Sequence, residues 1–453
     1  MSVATRSDVR VTTLKNGLRV ATDAMPQVET TTLGLWVNVG TRDERPELAG
    51  VSHLLEHMAF KGTGRRSARA IAEEIEAVGG HLNAYTARES TAYYAKVLAQ
   101  HVPLAVDILS DILLHSTFDD AELSRERAVV LQEIGQVHDT PDDVVFDHFQ
   151  AAAFPAQPLG RPVLGDAEVV RTMPRDVLVG YLEHHYRAGD MVLAAAGKVE
   201  HDALVGLAEA AFGDVPAGPG ADHSGASYRG GAFREARALE QVHLVLGFRG
   251  VPYKDPDYYA LGVLANLMGG GMSSRLFQEL REARGLVYSI YAFATSYADD
   301  GLFGVYAGTG AEQIAELMPV LCDEIAAAAT AAPDGDELDR ACTQLRAGLL
   351  MSLESSGARC EQLAHQLLVH GRPLSVAEQL DDLAAVDGAA VRRVAERLLA
   401  SPPTLAAMGP VEHLAADATI AARLRALERD RIRRKRSRRL RRRRRIGLAG
   451  SGR

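Results

Sequence analysis

The sequence predicts a chain of mixed strands and helices arranged as two copies of one pattern. Strand-like runs alternate with helical blocks in both halves. Residues Val215 to Gly231 are rich in Gly, Pro, Ser and Ala and read as a linker. Beyond them the order of elements restarts, an internal duplication of roughly 200 residues per copy. A chain of 453 residues is also too long for one ordinary core. The expected divisions are a first domain at 1–214, the linker at 215–231, a second domain at 232–422 and an Arg-rich tail at 423–453.

Each element has a local reason. Val11-Thr12-Thr13-Leu14 and Leu18-Arg19-Val20-Ala21 flank Lys15-Asn16-Gly17, and Asn-Gly is a strong hairpin signal. Thr31 to Val39 is a β-rich run closed by Gly40, and a helical block follows from about Glu47 to Phe60. Ser67 caps a helix in which Ala68, Ile71, Ala72, Ile75 and Val78 keep helical spacing, and Gly79-Gly80 stops it. His81 to Ala95 returns to strand character; helices are expected over Val102 to Leu114 and Asp120 to Val137. In the second copy, Val242 to Phe248 is a strand run, and the block from Pro256 to Met268 stands where the first helical block stood. A helix over Ser273 to Arg284 then precedes strands at Tyr288 to Thr295 and Gly301 to Gly308. Gly269-Gly270-Gly271 is a flexible connection and not a dinucleotide fingerprint.

Composition narrows the function. Apolar and charged fractions are those of a globular protein, and no apolar run approaches the roughly 18 residues that span a bilayer. Met1 to Arg10 is polar and lacks the apolar core of a secretory signal, so a cytoplasmic location is expected. Cys322, Cys342 and Cys360, odd in number and without C-x-x-C spacing, fit reduced thiols. Residues 423–453 hold 16 Lys/Arg against two acids, whereas 1–422 hold 34 basic against 57 acidic side chains. An acidic body can steer basic peptides toward itself. The Arg-rich end should be disordered, because like charges this dense cannot form a core. Nucleic-acid binding by such a tract is physically possible, and inert disorder is the preferred reading. No G-x-S-x-G elbow or P-loop occurs.

The chemistry concentrates at His53-Leu54-Leu55-Glu56-His57. On a helix, positions i, i+3 and i+4 share a face, so His53, Glu56 and His57 project together. Two imidazoles one turn apart can ligate one Zn²⁺, and Glu56 can act as general base on a metal-activated water. Val51, Leu54, Leu55, Met58 and Phe60 make the helix apolar, so the polar trio sits in or beside a core, where polar groups need partners. The second copy has no such His and Glu, so one copy carries chemistry and the other is scaffold.

The run from Gly50 to Thr63, GVSHLLEHMAFKGT, resembles the signature of the inverzincins, the pitrilysin and insulinase family of zinc peptidases. Its short-chain subgroup, which includes mitochondrial processing peptidase, matches best, over about residues 8–420. The resemblance implies two homologous α+β domains, each an antiparallel sheet packed by helices. It implies Glu133, 76 residues beyond His57, as third zinc ligand, and Glu126, two helical turns earlier, as a carboxylate that orients the ligands. The segment Gly79 to Thr86 is similar to the family's substrate-binding edge strand, making Asn83 and Ala84 contacts for an extended peptide. Arg281 and Tyr288 match an Arg/Tyr pair that contacts the substrate backbone from across the zinc. The implied activity is zinc-dependent endopeptidase cleavage of unfolded, often basic peptides inside a closed chamber. That chamber is formed by a homodimer, or by a heterodimer with an inactive paralogue. The competing reading is a non-catalytic scaffold subunit of the same superfamily, resembling the respiratory-chain core proteins.

Overall fold

The computed structural model describes residues 8–218 and 223–427, and the chain forms two compact units. The first comprises residues up to Thr140, Ala156–Ala226 and Arg346–Asp381; the second comprises Pro141–Pro155, Ser227–Leu345 and the residues from Asp382 onward. These units depart from the divisions read from sequence. A segment from each half of the chain is built into the unit of the other half.

The first unit holds a six-stranded sheet of β1 (Asp8–Thr13), β2 (Arg19–Ala24), β3 (Thr30–Val37), β4 (His81–Thr86), β5 (Thr91–Leu98) and β6 (Met191–Gly197), in the order β1-β2-β6-β3-β5-β4. The second holds β7 (Gly231–Ala236), β8 (Val242–Arg249), β9 (Val287–Ser296), β10 (Gly301–Thr309) and β11 (Thr404–Gly409), in the order β7-β11-β8-β10-β9. Dropping β1, the two orders correspond strand for strand, so the duplication is real at the level of topology. Both sheets are antiparallel except for one parallel pair each, β2 with β6 and β11 with β7. A late strand returning to the centre of its sheet produces that exception. The β1–β2 hairpin turns at Gly17, whose φ of +100° is the left-handed conformation that glycine adopts freely.

Helices cover both faces of each sheet. On one face of the first sheet a core includes Leu33, Leu35, Leu54, Leu55, Met58, Ile108 and Leu109. On the other, Trp36, Ala92, Val192, Ala194 and Ala196 pack against Cys360, Leu363, Ala364 and Leu367 of the helix Ser356–His370. In the second unit the helix Pro141–Ala153 takes the matching place: Phe149 is buried so close to β8 that a Cβ on Gly247 would lie 2.5 Å from its ring. Gly269 has a similar duty, since a Cβ there would meet the Ala292 nitrogen of β9 at 2.2 Å.

Several expectations are corrected. The helix expected from Glu47 starts at Val51, because Gly50 adopts φ +102° and only a short 3₁₀ turn, Pro46–Leu48, precedes it. The segment carrying Arg281 is π-helical over Phe277–Ala283. Of the expected linker, 219–222 lie outside the described residues, and His223 and Ser224 are tied to the first unit through Asp43 (2.6 Å) and Arg42 (2.7 Å to the carbonyl). Residues 423–427, expected in the tail, continue a helix, with Leu424 buried and Arg423 paired to Asp323. The remainder of the Arg-rich segment, where disorder was expected, lies outside the described residues. The three cysteines are free thiols.

One buried carboxylate fixes the start of the helix Val51–Ala59. Glu44 accepts from the backbone N–H groups of Gly50 (2.8 Å) and Ser52 (2.9 Å), satisfying donors that a helix N-terminus leaves unpaired. Burial pushes its pKa up to about 7, against the lowering pull of those two N–H groups and of Arg161. The folded state then holds a proton that the unfolded chain releases near 4.5, so the contribution of Glu44 is complete below that value and is lost as pH rises through 7. Wild type should therefore lose stability relative to Glu44→Gln as pH is raised from about 5 to 8, and parallel urea-denaturation curves across that window would contradict the assignment. Leu367→Ala should destabilise the first unit by about 2–4 kcal/mol in the same assay, because it opens a cavity between helix and sheet.

Candidate metal centre

Two helices supply the polar cluster. Val51–Ala59 buries Leu54, Leu55 and Met58, which turns the remaining face, with His53, Glu56 and His57, toward the helix Asp120–His138. That second helix starts at Asp119, whose side chain accepts from the N–H groups of Ala121 and Glu122. Its inward stripe is Leu123, Glu126 and Val130. Glu133 extends the same stripe by one turn.

Ligand atoms of His53, His57 and Glu133 all lie within 4.8 Å of one another. A single carboxylate oxygen, Glu133 Oε2, stands 3.6 Å from His53 Nε2 and 3.5 Å from His57 Nε2. These separations are too long for good hydrogen bonds. They match the edge of a tetrahedron of donors about 2.0–2.2 Å from a zinc ion, which is about 3.3–3.6 Å. The tautomer also suits a cation: His57 Nδ1 donates to Glu126 Oε2 at 3.0 Å, leaving the Nε2 lone pair toward Glu133. Burial, and secondarily His57, pull the pKa of His53 down to about 4, so its imidazole is neutral at physiological pH. The residues present fit a divalent metal. Glu133 is the most open of the three, with 39% of its side chain exposed, which leaves an approach for water or substrate.

Glu56 lies between the imidazoles in sequence but bonds elsewhere, accepting from Thr86 Oγ1 of β4 at 2.7 Å. Burial raises its pKa against the lowering effect of that bond and of His57. Glu126 is 7% exposed and is held from its other side by Lys61 Nζ at 2.8 Å. Thr86, Lys61 and Glu44 were not singled out from sequence. Thr86 and Lys61 do lie within the motifs quoted there, whereas nothing short of the fold marks Glu44.

Expected substrate residues divide between the units. Asn83 and Ala84 lie on β4, the edge of the first sheet, with Asn83 exposed and its Oδ1 accepting from the Ala84 N–H at 2.8 Å. Arg281 and Tyr288 belong to the second unit, Arg281 over the ring of Phe277 (4.7 Å) and Tyr288 75% exposed on the edge strand β9. Among the described residues no helix is long and apolar enough to cross a membrane.

Comparison with known proteins bears on the family of the chain. Residues 19–167 match the family model described as insulinase (peptidase family M16), and residues 172–345 match that of the peptidase M16 inactive domain. An uncharacterized zinc protease of Streptomyces coelicolor is 41% identical over 413 residues, covering 89% of this chain and 90% of that protein. A probable mitochondrial-processing peptidase subunit beta of Arabidopsis thaliana is 40% identical over 423 residues, covering 90% of this chain and 79% of its own length. In fold, a chain of complex III2 from Candida albicans superposes with a TM-score of 0.82 at 22% identity, covering 92% of this chain and 99% of its own. A protease from Helicobacter pylori does so with a TM-score of 0.82 at 20% identity, over 89% of this chain and 100% of its own. With two family models in tandem and relatives about 40% identical along most of its length, the chain belongs to the insulinase, or M16, peptidase family.

Proposed function

We propose that this protein is a zinc metalloendopeptidase in which His53, His57 and Glu133 hold the metal and Glu56 is the general base. The observation that carries the reading is the convergence of two imidazole Nε2 atoms on one carboxylate oxygen, at spacings suited to a shared cation. Zinc, when bound, supplies a Lewis acid that polarises the scissile carbonyl and makes water acidic near neutral pH. Glu56 would accept a proton from the attacking water and give it to the leaving amine, with Thr86 holding its carboxylate in place. Its raised pKa brings it nearer to the operating pH of such a base. Glu126 and Lys61 orient His57.

The substrate is an unfolded peptide added as an extra strand to the free edge of β4, where Asn83 and Ala84 contact its backbone. Arg281 and Tyr288 reach the reacting carbonyl from the second unit of a partner copy in a homodimer, where a guanidinium and a phenol stabilise the developing oxyanion. The ligands argue against a scaffold role, since all three are present and face one another.

Glu56→Gln should keep stoichiometric zinc by elemental analysis while cleavage of an unstructured peptide falls by two orders of magnitude or more, as expected for a lost general base. His53→Ala should lose the metal. Undiminished cleavage by Glu56→Gln would remove that residue from the mechanism. Glu126→Gln should weaken zinc affinity by about 10–100-fold in a chelator competition, and unchanged affinity would deny it any part in holding His57.

A further inference from the structure

The 3₁₀ turn Thr41–Asp43, which precedes the helix of His53 and His57, binds two other segments of the first unit at once. Its Thr41 and Arg42 N–H groups donate to carbonyls of the β4–β5 hairpin, and the Arg42 guanidinium pairs with Glu89 there. The same turn holds His223 and Ser224, residues that sequence alone places in a linker. His223 Nδ1 donates to Asp43 Oδ1 at 2.6 Å, and Asp43 Oδ2 accepts from the Gly40 N–H at 2.9 Å. Nε and Nη2 of Arg42 both donate to the Ser224 carbonyl, at 3.1 and 2.7 Å. Both ions are out of water: Arg42 is 2% exposed and the Asp43 side chain 0%. A buried ion that loses a partner is left uncompensated, so a guanidinium without the Ser224 carbonyl would turn toward solvent and release Glu89. Glu89 lies three positions beyond Thr86, whose Oγ1 donates to Glu56 at 2.7 Å. The seat of His223 is thereby linked to the placing of Glu56.

That link is sensitive to protons. His223 faces Asp43 and Arg42 from the turn, Glu89 from the hairpin and His185 from the helix Arg175–His185. Its hydrogen bond to Asp43 raises its pKa above the ordinary 6.5, against the lowering effect of burial. The charges of Asp43 and Glu89 add to the rise, and Arg42 opposes it. Burial, and secondarily His184, lower the pKa of His185, so that ring stays neutral near pH 7. With the folded pKa above the unfolded one, the His223–Asp43 pair is at full strength below 6.5. It weakens as pH rises through the folded value.

We infer that His223 is a positioning residue for the β4–β5 hairpin and, through Thr86, for Glu56: by pairing with Asp43 it seats the Ser224 carbonyl on Arg42, which in turn holds Glu89. The part that concerns Glu56 rests on the peptidase reading above, whereas the coupling of His223 to the hairpin does not. The test uses the zinc-loaded full-length protein, with hydrogen exchange of the hairpin read by mass spectrometry beside kcat/KM for an unstructured peptide. At pH about 6, His223→Ala should speed exchange around Ala87 to Ser90 by about tenfold, the worth of one charge-assisted hydrogen bond. Zinc content should not change, while kcat/KM falls by about threefold or more as Glu56 loses its placing. At pH about 9 both differences from wild type should shrink below about twofold, because the wild type has then lost the proton too. Asp43→Asn keeps an oxygen for the Gly40 N–H, and adding His223→Ala to it should speed exchange no further. Hairpin exchange unchanged in His223→Ala at the lower pH, or a difference that persists undiminished at the higher, overturns the positioning role and leaves the peptidase reading standing. A wild type that cleaves no peptide yet shows the pH-dependent exchange keeps the coupling and overturns that reading.

Discussion

The first unit depends on one helix crossing, Val51–Ala59 against Asp120–His138. The second of these helices buries only Leu123, Glu126 and Val130, a narrow stripe at helical spacing. Two of the four inward positions from 123 to 133 are carboxylates, placed where an ordinary amphipathic helix would carry Leu or Val. Glu126 cannot be buried there unless it finds partners, because an unpaired carboxylate out of water is costly, whereas Glu133 keeps part of its side chain in solvent. Glu126 finds His57 and Lys61, and Glu133 comes to 3.6 and 3.5 Å from the Nε2 atoms of His53 and His57. The crossing that brings them together is therefore set by chemistry as much as by packing.

How legible this was varies with the range of the interaction. The Asn-Gly hairpin, the Ser67 cap and the spacing of His53, Glu56 and His57 are local, and each appears where sequence placed it. Glu133 and Glu126 became legible through resemblance, since a helical Glu carries no signal of its own. What escaped was non-local. The Ser356–His370 helix has an unremarkable amphipathic pattern, and nothing in it says that Cys360, Leu363 and Leu367 pack on strands more than 150 positions earlier in the chain. Gly50 was readable as glycine but not as a residue with φ +102°, so the first helix was begun too early. Arg42, almost fully buried by Glu89 and the Ser224 carbonyl, reads in sequence as surface charge.

Among the described residues, the His53, His57 and Glu133 cluster lies in the first of the two duplicated units. In the second unit the helix Tyr258–Gly269 follows β8 as Val51–Ala59 follows β3, but its buried positions, Leu261, Val263, Leu264, Leu267 and Met268 among them, are all apolar. A fully apolar face packs without needing a cation, so this copy is free to serve as framework. Its edge strand β9 corresponds to β4 in the strand order and presents Tyr288 to solvent. The exchanged segments add a second constraint. With Ser356–His370 removed, the apolar back face of the first sheet, from Ala21 to Ala196, would be bare, so neither half of the sequence is a self-sufficient domain.

The edge strand β4 joins these themes. Thr86 holds Glu56 on one face and Tyr85 holds Glu361 on the other. Because the period of a strand is two, a slip of one residue would exchange the faces, taking the threonine from Glu56 and pushing a phenol into the core. The hairpin that sets this register is correspondingly well anchored. The backbone N–H groups of Thr41 and Arg42 donate to the carbonyls of Ala87 and Arg88 at 3.2 and 2.8 Å, and the buried Arg42 guanidinium pairs with Glu89 in the turn itself. A buried guanidinium is costly unless fully paired, and spending one on a surface turn makes sense only where register matters. That turn thus governs both the placing of Thr86 beside Glu56 and the register of the edge strand β4.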